Sequence, residues 1–186
     1  MSALYLIRHG KTRANVEHLY CGSTDLPLSP EGRRELQTLH YSAEGVRFLT
    51  SGMRRTEETL ELLFGPVPHQ TDPRFREVDF GDFEMKSYEM LKEVPAYQQW
   101  LTGDNEKNVP PNGESGEQMG IRVREGLQAL LAQGQDTVLV THGGVIALLM
   151  AELFPKEQKN RYQWQPSPGH GYVIRDGGYQ AIPDCK

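Results

Sequence analysis

Cysteine is scarce in this chain: Cys21 and Cys185 are the whole complement among 186 residues, too few for a disulfide framework and without the paired spacing of a metal site. Long apolar runs are missing too. The longest, residues 145–151, falls far short of the roughly 20 residues that cross a bilayer, so no membrane span is expected. No basic segment precedes the apolar run that starts at Ala3, and a secretory leader is not expected. A basic excess is absent as well: the formal net charge is −5, which argues against general nucleic-acid or anionic-membrane binding and makes any anion site a local one. Low-complexity stretches, internal repeats and composition breaks that would mark a linker are all lacking. The length suits one core, so a single domain over residues 1–186 is expected. His18, His40, His69 and His170 show no ligand spacing, and neither a metal nor another cofactor is called for. Reduced thiols fit a cytoplasmic protein, and the sequence carries no signature of oligomeric state.

What is present begins with Leu4-Tyr5-Leu6-Ile7-Arg8-His9-Gly10. An apolar run with a β-branched end, broken by glycine, reads as a core strand of a parallel sheet. Ligands of open α/β sheets sit beyond the carboxyl ends of the strands, which places Arg8 and His9 at the mouth of such a crevice. The pattern returns in Thr137-Val138-Leu139-Val140-Thr141-His142-Gly143-Gly144, followed by an apolar helix-like run. Two such strands suggest parallel neighbours presenting two imidazoles side by side; the plain alternative is a pair of polar tips at a sheet edge.

Between them, strands alternate with helices. Ser29-Pro30-Glu31 has the N-cap serine, the proline at the first helical position and the first-turn acid of a helix start, with Leu36 and Leu39 facing the core. Residues 46–50 read as a strand and residues 53–64 as a helix with Met53, Leu60, Leu63 and Phe64 on one face, closed by Gly65-Pro66. Arg54 and Arg55 then stand in a first helical turn, where both the dipole and like charge disfavour them. They serve either an anionic partner or solvent. Residues 73–84 show no clean period and read as a loop packed by phenylalanines, in which a desolvated carboxylate could act as general acid; an ordinary surface loop is the other reading. Residues 86–101 form a short helical region interrupted at Pro95, and residues 102–113 a loop or lid. Ser115-Gly116-Glu117-Gln118 has capping-box spacing ahead of Met119, Val123, Leu127 and Leu131, an amphipathic helix. Residues 171–182 read as a hairpin around Asp176-Gly177-Gly178.

Arg8-His9-Gly10 with Thr12 and Asn15, Tyr20-Cys21-Gly22 with Asp25-Leu26-Pro27-Leu28-Ser29, and the stretch around Arg55 stand in one order along the chain. Glu77-Val78-Asp79-Phe80-Gly81, residues 111–115 and Thr141-His142-Gly143-Gly144 follow. This ordered set resembles the histidine phosphatase superfamily, in the branch of cofactor-dependent phosphoglycerate mutases and small bacterial phosphatases such as α-ribazole phosphatase. The resemblance implies a three-layer α/β/α sandwich with a mostly parallel central sheet. It implies His9 as nucleophile, Arg8, Asn15, Arg55 and His142 (with Gly143) around the phosphoryl oxygens, Glu77 as proton donor, and backbone near Cys21 and Gly22 at the substrate. It departs from the family at Lys11, where glutamate is common, at Gly52, where aspartate is common, and at Phe83-Glu84-Met85, where Trp-Glu-Gly is usual.

Chemistry agrees with those roles. Arginine matches phosphate oxygens bidentately, and neighbouring guanidiniums keep an imidazole neutral and nucleophilic. Phosphoryl transfer needs alignment and positive charge, which arginines supply without a metal. The expectation is a phosphatase acting on a small phosphate ester, with α-ribazole 5′-phosphate as a candidate and residues 86–113 as a substrate-covering insert. A cofactor-dependent phosphoglycerate mutase and a non-catalytic phospho-ligand binding module stay open. Tyr88, Tyr97 and Trp100 hint at a ring-bearing leaving group, or at plain packing.

Overall fold

In the computed structural model, which describes residues 2–104 and 106–183, the opening apolar run forms β1 (Leu4–Arg8) at the centre of a six-stranded sheet. The other strands are β2 (Arg47–Thr50), β3 (His69–Thr71), β4 (Thr137–Thr141), β5 (Gly171–Arg175) and β6 (Gly178–Ile182), in the order β3-β2-β4-β1-β5-β6. All run parallel except β5. The helices are α1 (Arg13–Val16), α2 (Pro30–Leu36), α3 (Arg54–Phe64), α4 (Tyr88–Leu91), α5 (Pro95–Trp100), α6 (Gly116–Leu131), α7 (Gly143–Leu153) and α8 (Arg161–Trp164).

Because successive side chains of a strand face opposite ways, the sheet has two apolar faces to cover. Leu4, Leu6, Leu49 and Leu139 pack against Met119, Val123 and Leu127 of α6 and Val145, Ile146 and Leu149 of α7. Ile7, Val138 and Val140 pack on the opposite face against Leu60 of α3. The result is the expected three-layer sandwich. Every residue of β4 is buried, as a central parallel strand covered on both faces must be. Truncating such a residue, Leu139 for instance, would cost about 2–5 kcal/mol.

The register β1 to β4 pairs Leu4 with Thr137 and Arg8 with Thr141. His9 and His142 therefore leave adjacent parallel strands at the same level, and the His9 N–H donates to the Thr141 carbonyl at 2.9 Å.

Local signals set the helix starts. The Ser29 hydroxyl accepts from the Gly32 N–H at 3.0 Å, and Ser115 and Gln118 close the capping box of α6. Gly65 ends α3 with φ 78°, a conformation that favours glycine. The sequence expectations fail at two residues and pass over two elements. Leu131 is 38% exposed while Leu130 is buried, since a strict four-residue spacing drifts off a 3.6-residue turn. Leu39 lies beyond the end of α2 and is only half-buried. The helical region is interrupted at Pro95 as expected, because that proline begins α5 after the break that follows α4. The edge strand β3 and the single turn α1 have too few residues to show a period.

Candidate active site

His9 is 6% exposed. Its Nδ1 lies 2.7 Å from the Gly10 carbonyl; with Nδ1–H donating there, Nε2 carries the lone pair. The Gly10 N–H is held in turn by the Thr59 hydroxyl at 2.9 Å, which fixes the bend after β1. The His142 ring stands 5.2 Å away, centroid to centroid, at 64°. A guanidinium can only donate, so the 3.3 Å contact from Arg55 Nε to His142 Nδ1 makes Nδ1 an acceptor and puts the ring proton on Nε2, which donates to Ser51 Oγ at 2.8 Å. Burial, with Arg55 and then Arg8 beside it, holds His9 well below the usual histidine range. Burial and Arg55 do the same to His142. Two neutral imidazoles face each other here.

Arg55, 1% exposed, grows from the first turn of α3 directly beyond β2. Its Nη1 donates to the Thr24 carbonyl at 2.9 Å and its Nη2 to the Gly22 carbonyl at 2.7 Å. Arg54, its neighbour, turns outward to an ion pair with Glu58. Arg8 is anchored through Nη1 to the Pro166 carbonyl at 2.8 Å, while its buried Nε has no partner among the described residues. Burial lowers the Arg8 pKa from its ordinary value. A buried charged donor left open beside a histidine is the arrangement an oxyanion completes. The Asn15 side-chain oxygen accepts from the Thr12 N–H and hydroxyl at 2.9 and 3.0 Å, which leaves its NH2 group as a donor.

Glu77 projects from the aromatic loop to the start of α7. Its Oε2 accepts from the Gly144 N–H at 2.9 Å and its Oε1 from the Val78 N–H at 3.0 Å. A Cβ on residue 144 would stand 2.4 Å from Glu77 Oε1, so glycine there makes room for the carboxylate. Gly143 is the first residue of α7 and is packed by Gln165. Gly22 contributes structure: its N–H donates to Glu84 and its carbonyl receives Arg55. The Cys21 thiol, raised in pKa by burial, points its Sγ to the Thr24 carbonyl at 3.5 Å. Cys185 lies outside the described residues.

Three supporting residues escaped the sequence. Glu84 gathers the N–H groups of Gly22, Ser23, Thr24 and Phe80 and the Thr24 hydroxyl on one carboxylate. Ser51 sets the tautomer of His142. Arg122 ties Glu114 to the carbonyls of Arg74, Arg76 and Glu77. Only Ser51 left a usable sign, sitting just beyond a strand like the other site residues. No group of three or more His, Cys, Asp or Glu among the described residues is placed to hold a metal ion.

The profile of the histidine phosphatase superfamily (branch 1) matches residues 4–180. The chain belongs to the histidine phosphatase superfamily. The adenosylcobalamin/alpha-ribazole phosphatase of Escherichia coli K12 is 35% identical over 159 residues, 81% of this chain and 78% of that protein. A protein called probable phosphoglycerate mutase GpmB, from Yersinia enterocolitica, is 30% identical over 211 residues, covering 99% of this chain and 96% of its own. The crystal structure of a putative alpha-ribazole-5′-P phosphatase from Escherichia coli superposes with a TM-score of 0.84 at 29% identity, over 97% of this chain and 94% of that one. As a histidine phosphatase with a phosphoglycerate mutase-like fold, the protein is an enzyme of the hydrolase class. Among its described residues no helix is long and apolar enough to cross a membrane.

Proposed function

We propose that the enzyme hydrolyses a small phosphate monoester in two steps through a phosphohistidine on His9 Nε2. In the first step the Nε2 lone pair attacks phosphorus, the bond to the ester oxygen breaks, and Glu77 gives its proton to that oxygen. In the second, Glu77 takes a proton from water, whose oxygen attacks phosphorus. The P–N bond breaks, and inorganic phosphate leaves a neutral imidazole behind. Arg8 and Arg55 match the equatorial oxygens, where charge is spread in a metaphosphate-like transition state, with Asn15, His142 and the backbone of Gly143 completing the cradle. Cys21 and Gly22 shape the rim through the backbone that holds Arg55.

The observation that carries this reading is the state of His9: its Nδ1–H is occupied by Gly10, its pKa is held low by burial and two guanidiniums, and Nε2 has no hydrogen-bond partner among the described residues. α-Ribazole 5′-phosphate is the candidate substrate, because the Escherichia coli relative is called an adenosylcobalamin/alpha-ribazole phosphatase and the superposed structure is described as a putative alpha-ribazole-5′-P phosphatase. Residues 86–113 act as the cover over the leaving group, and the cytoplasm, where phosphorylated metabolites are held, is the location that suits the reaction.

Purified enzyme should release inorganic phosphate from α-ribazole 5′-phosphate and from p-nitrophenyl phosphate in the presence of EDTA, and acid-labile, alkali-stable phosphate should be trapped on His9. His9→Ala should abolish release while still binding inorganic phosphate. Turnover that survives His9→Ala, or no release by the wild type, overturns the reading. A mutase reading is favoured by the GpmB similarity. Interconversion of 2- and 3-phosphoglycerate that depends on the bisphosphate and outpaces phosphate release would establish it.

A further inference from the structure

Beyond Glu77 lies a solvent-open cavity of about 310 Å³. The rings of Tyr20, Phe80 and Trp100 line it, and it meets the reaction centre at Glu77 and Gly144. These rings brace one another: Tyr20 and Phe80 are 5.0 Å apart at 54°, and Trp100 stands edge-on to both. Tyr97 is fully buried behind them, its hydroxyl 2.6 Å from that of Tyr20, and Tyr88 is 56% exposed. Of the three aromatic residues singled out in the sequence, only Trp100 lines the cavity.

The charges around this space are arranged unlike those around His9. Arg161 is the single lysine or arginine among the described residues that line it, and its Nη1 donates to Glu106 Oε1. Glu106 is itself held in place, since its carbonyl accepts the Glu117 N–H at 2.9 Å. Its other carboxylate oxygen occupies the space that a Cβ at position 116 would need, only 2.1 Å away. Gly116 thus admits the carboxylate to the start of α6. Glu114, also in the lining, is paired with Arg122 at 2.7 Å. The phosphoryl end of a bound ester therefore meets two guanidiniums, while its leaving end meets aromatic faces, carboxylates and one arginine already engaged.

We propose that this cavity selects uncharged, ring-bearing leaving groups and rejects those with a second anionic group, Glu106 being the specificity-determining residue that keeps Arg161 engaged. The inference rests on the phosphatase reading and deepens it. A carboxylate or second phosphate on the leaving end has no open cation to meet and must approach Glu106 or displace it from Arg161. Both side chains are partly exposed, at 41% and 48%, so the discrimination is moderate and sensitive to salt.

The test compares kcat/KM for phenyl phosphate and 4-carboxyphenyl phosphate, which differ by one distant charge. Wild-type enzyme should favour the uncharged ester about tenfold at low ionic strength, and the preference should shrink when salt is raised to about 0.5 M. Glu106→Gln should lower the ratio about fivefold by releasing Arg161, whereas Arg161→Gln should leave it as high or higher. Equal use of the two esters by the wild type overturns the proposal. So does a Glu106→Gln variant that loses activity toward both in proportion, which is the mark of a merely structural residue. Should that variant fail to fold, the salt dependence of the wild-type ratio decides. Failure to hydrolyse either ester overturns the phosphatase reading itself, whereas hydrolysis of both without preference overturns only this inference.

Discussion

Glu84 and Arg55 do not touch, yet one sets the other. The Glu84 carboxylate accepts the N–H groups of Gly22, Ser23 and Thr24, and the carbonyls of Gly22 and Thr24 face the other way to receive the two Nη groups of Arg55. The loop works as a rigid coupling between a carboxylate that meets no substrate and a guanidinium proposed to bind it. Glu84→Ala leaves several partly buried donors unmatched, and should destabilise the protein by about 1–3 kcal/mol in urea unfolding. It should also reduce kcat/KM about 10²-fold, as misplacement of a binding group does. Glu84→Gln keeps one acceptor oxygen and should fall between. A stability loss with kcat/KM untouched would show that the loop does not position Arg55.

The two site histidines tie stability to pH. Both have folded-state pKa values well below 6.5, so between that pH and their folded pKa values the unfolded chain binds more protons than the native one. Stability is then complete above pH 6.5 and is lost as the pH falls below it. Each histidine contributes a slope of up to about 1.4 kcal/mol per pH unit. His69, raised by the Val67 carbonyl and Glu57, acts in the opposite sense but cancels when variants are compared. Urea midpoints measured from pH 7.5 to 5 should fall for the wild type and fall less steeply for His9→Gln. Equal slopes would mean that His9 titrates normally. The acid limb of kcat/KM should likewise lie below pH 6.5, because His9, the proposed nucleophile, stays neutral above its lowered pKa.

Gly144 and Glu77 form a second coupled pair, and Gly144→Ala tests it. The added methyl would meet the carboxylate 2.4 Å away while suiting the first turn of α7. The fold should survive, with Glu77 displaced by about an ångström and kcat lowered about 10²-fold. Competitive inhibition by inorganic phosphate, which is proposed to depend on Arg8 and Arg55, should change less than about threefold. An unchanged kcat would remove Glu77 from the role of proton donor.

What the sequence made legible, and what it hid, divides by range. The ends of β1 and β4 could be read because each is a short apolar run stopped by His-Gly, and α6 because its cap and its period coincide. Pairing of Arg8 with Thr141 across 133 positions leaves no local trace. The repeated strand-His-Gly pattern suggested that the two histidines would meet, and the order of the family motifs supported it. Glu84 was opaque for the same reason: its donors lie some sixty positions earlier, and nothing in Phe83-Glu84-Met85 marks a side chain that organises a distant loop. Leu131 was misplaced by counting in fours, whereas Tyr97 takes the packing role that the sequence had left open beside ligand contact. Arg54 and Arg55 are adjacent in sequence and opposite in fate, since a helix turns about 100° between them.

Arg8 offers the most direct test of the anion cradle. Its Nη1 is committed to the Pro166 carbonyl at 2.8 Å, and its buried Nε is open. Lysine carries its donors on one nitrogen and lacks the planar fork of a guanidinium, so it cannot span the carbonyl and a phosphoryl oxygen as Nη1 and Nε do. Arg8→Lys should therefore keep the fold and lose about 10²-fold in kcat/KM, in line with removal of a bidentate charged contact. Ligand linkage gives a readout free of chemistry: inorganic phosphate at about 100 times its Kd should add about 2.7 kcal/mol to the stability of the wild type. At the same concentration the thermal shift of Arg8→Lys should be much smaller, because binding is weakened. If phosphate stabilises both proteins equally, Arg8 does not face the anion, and the orphaned Nε has some other purpose.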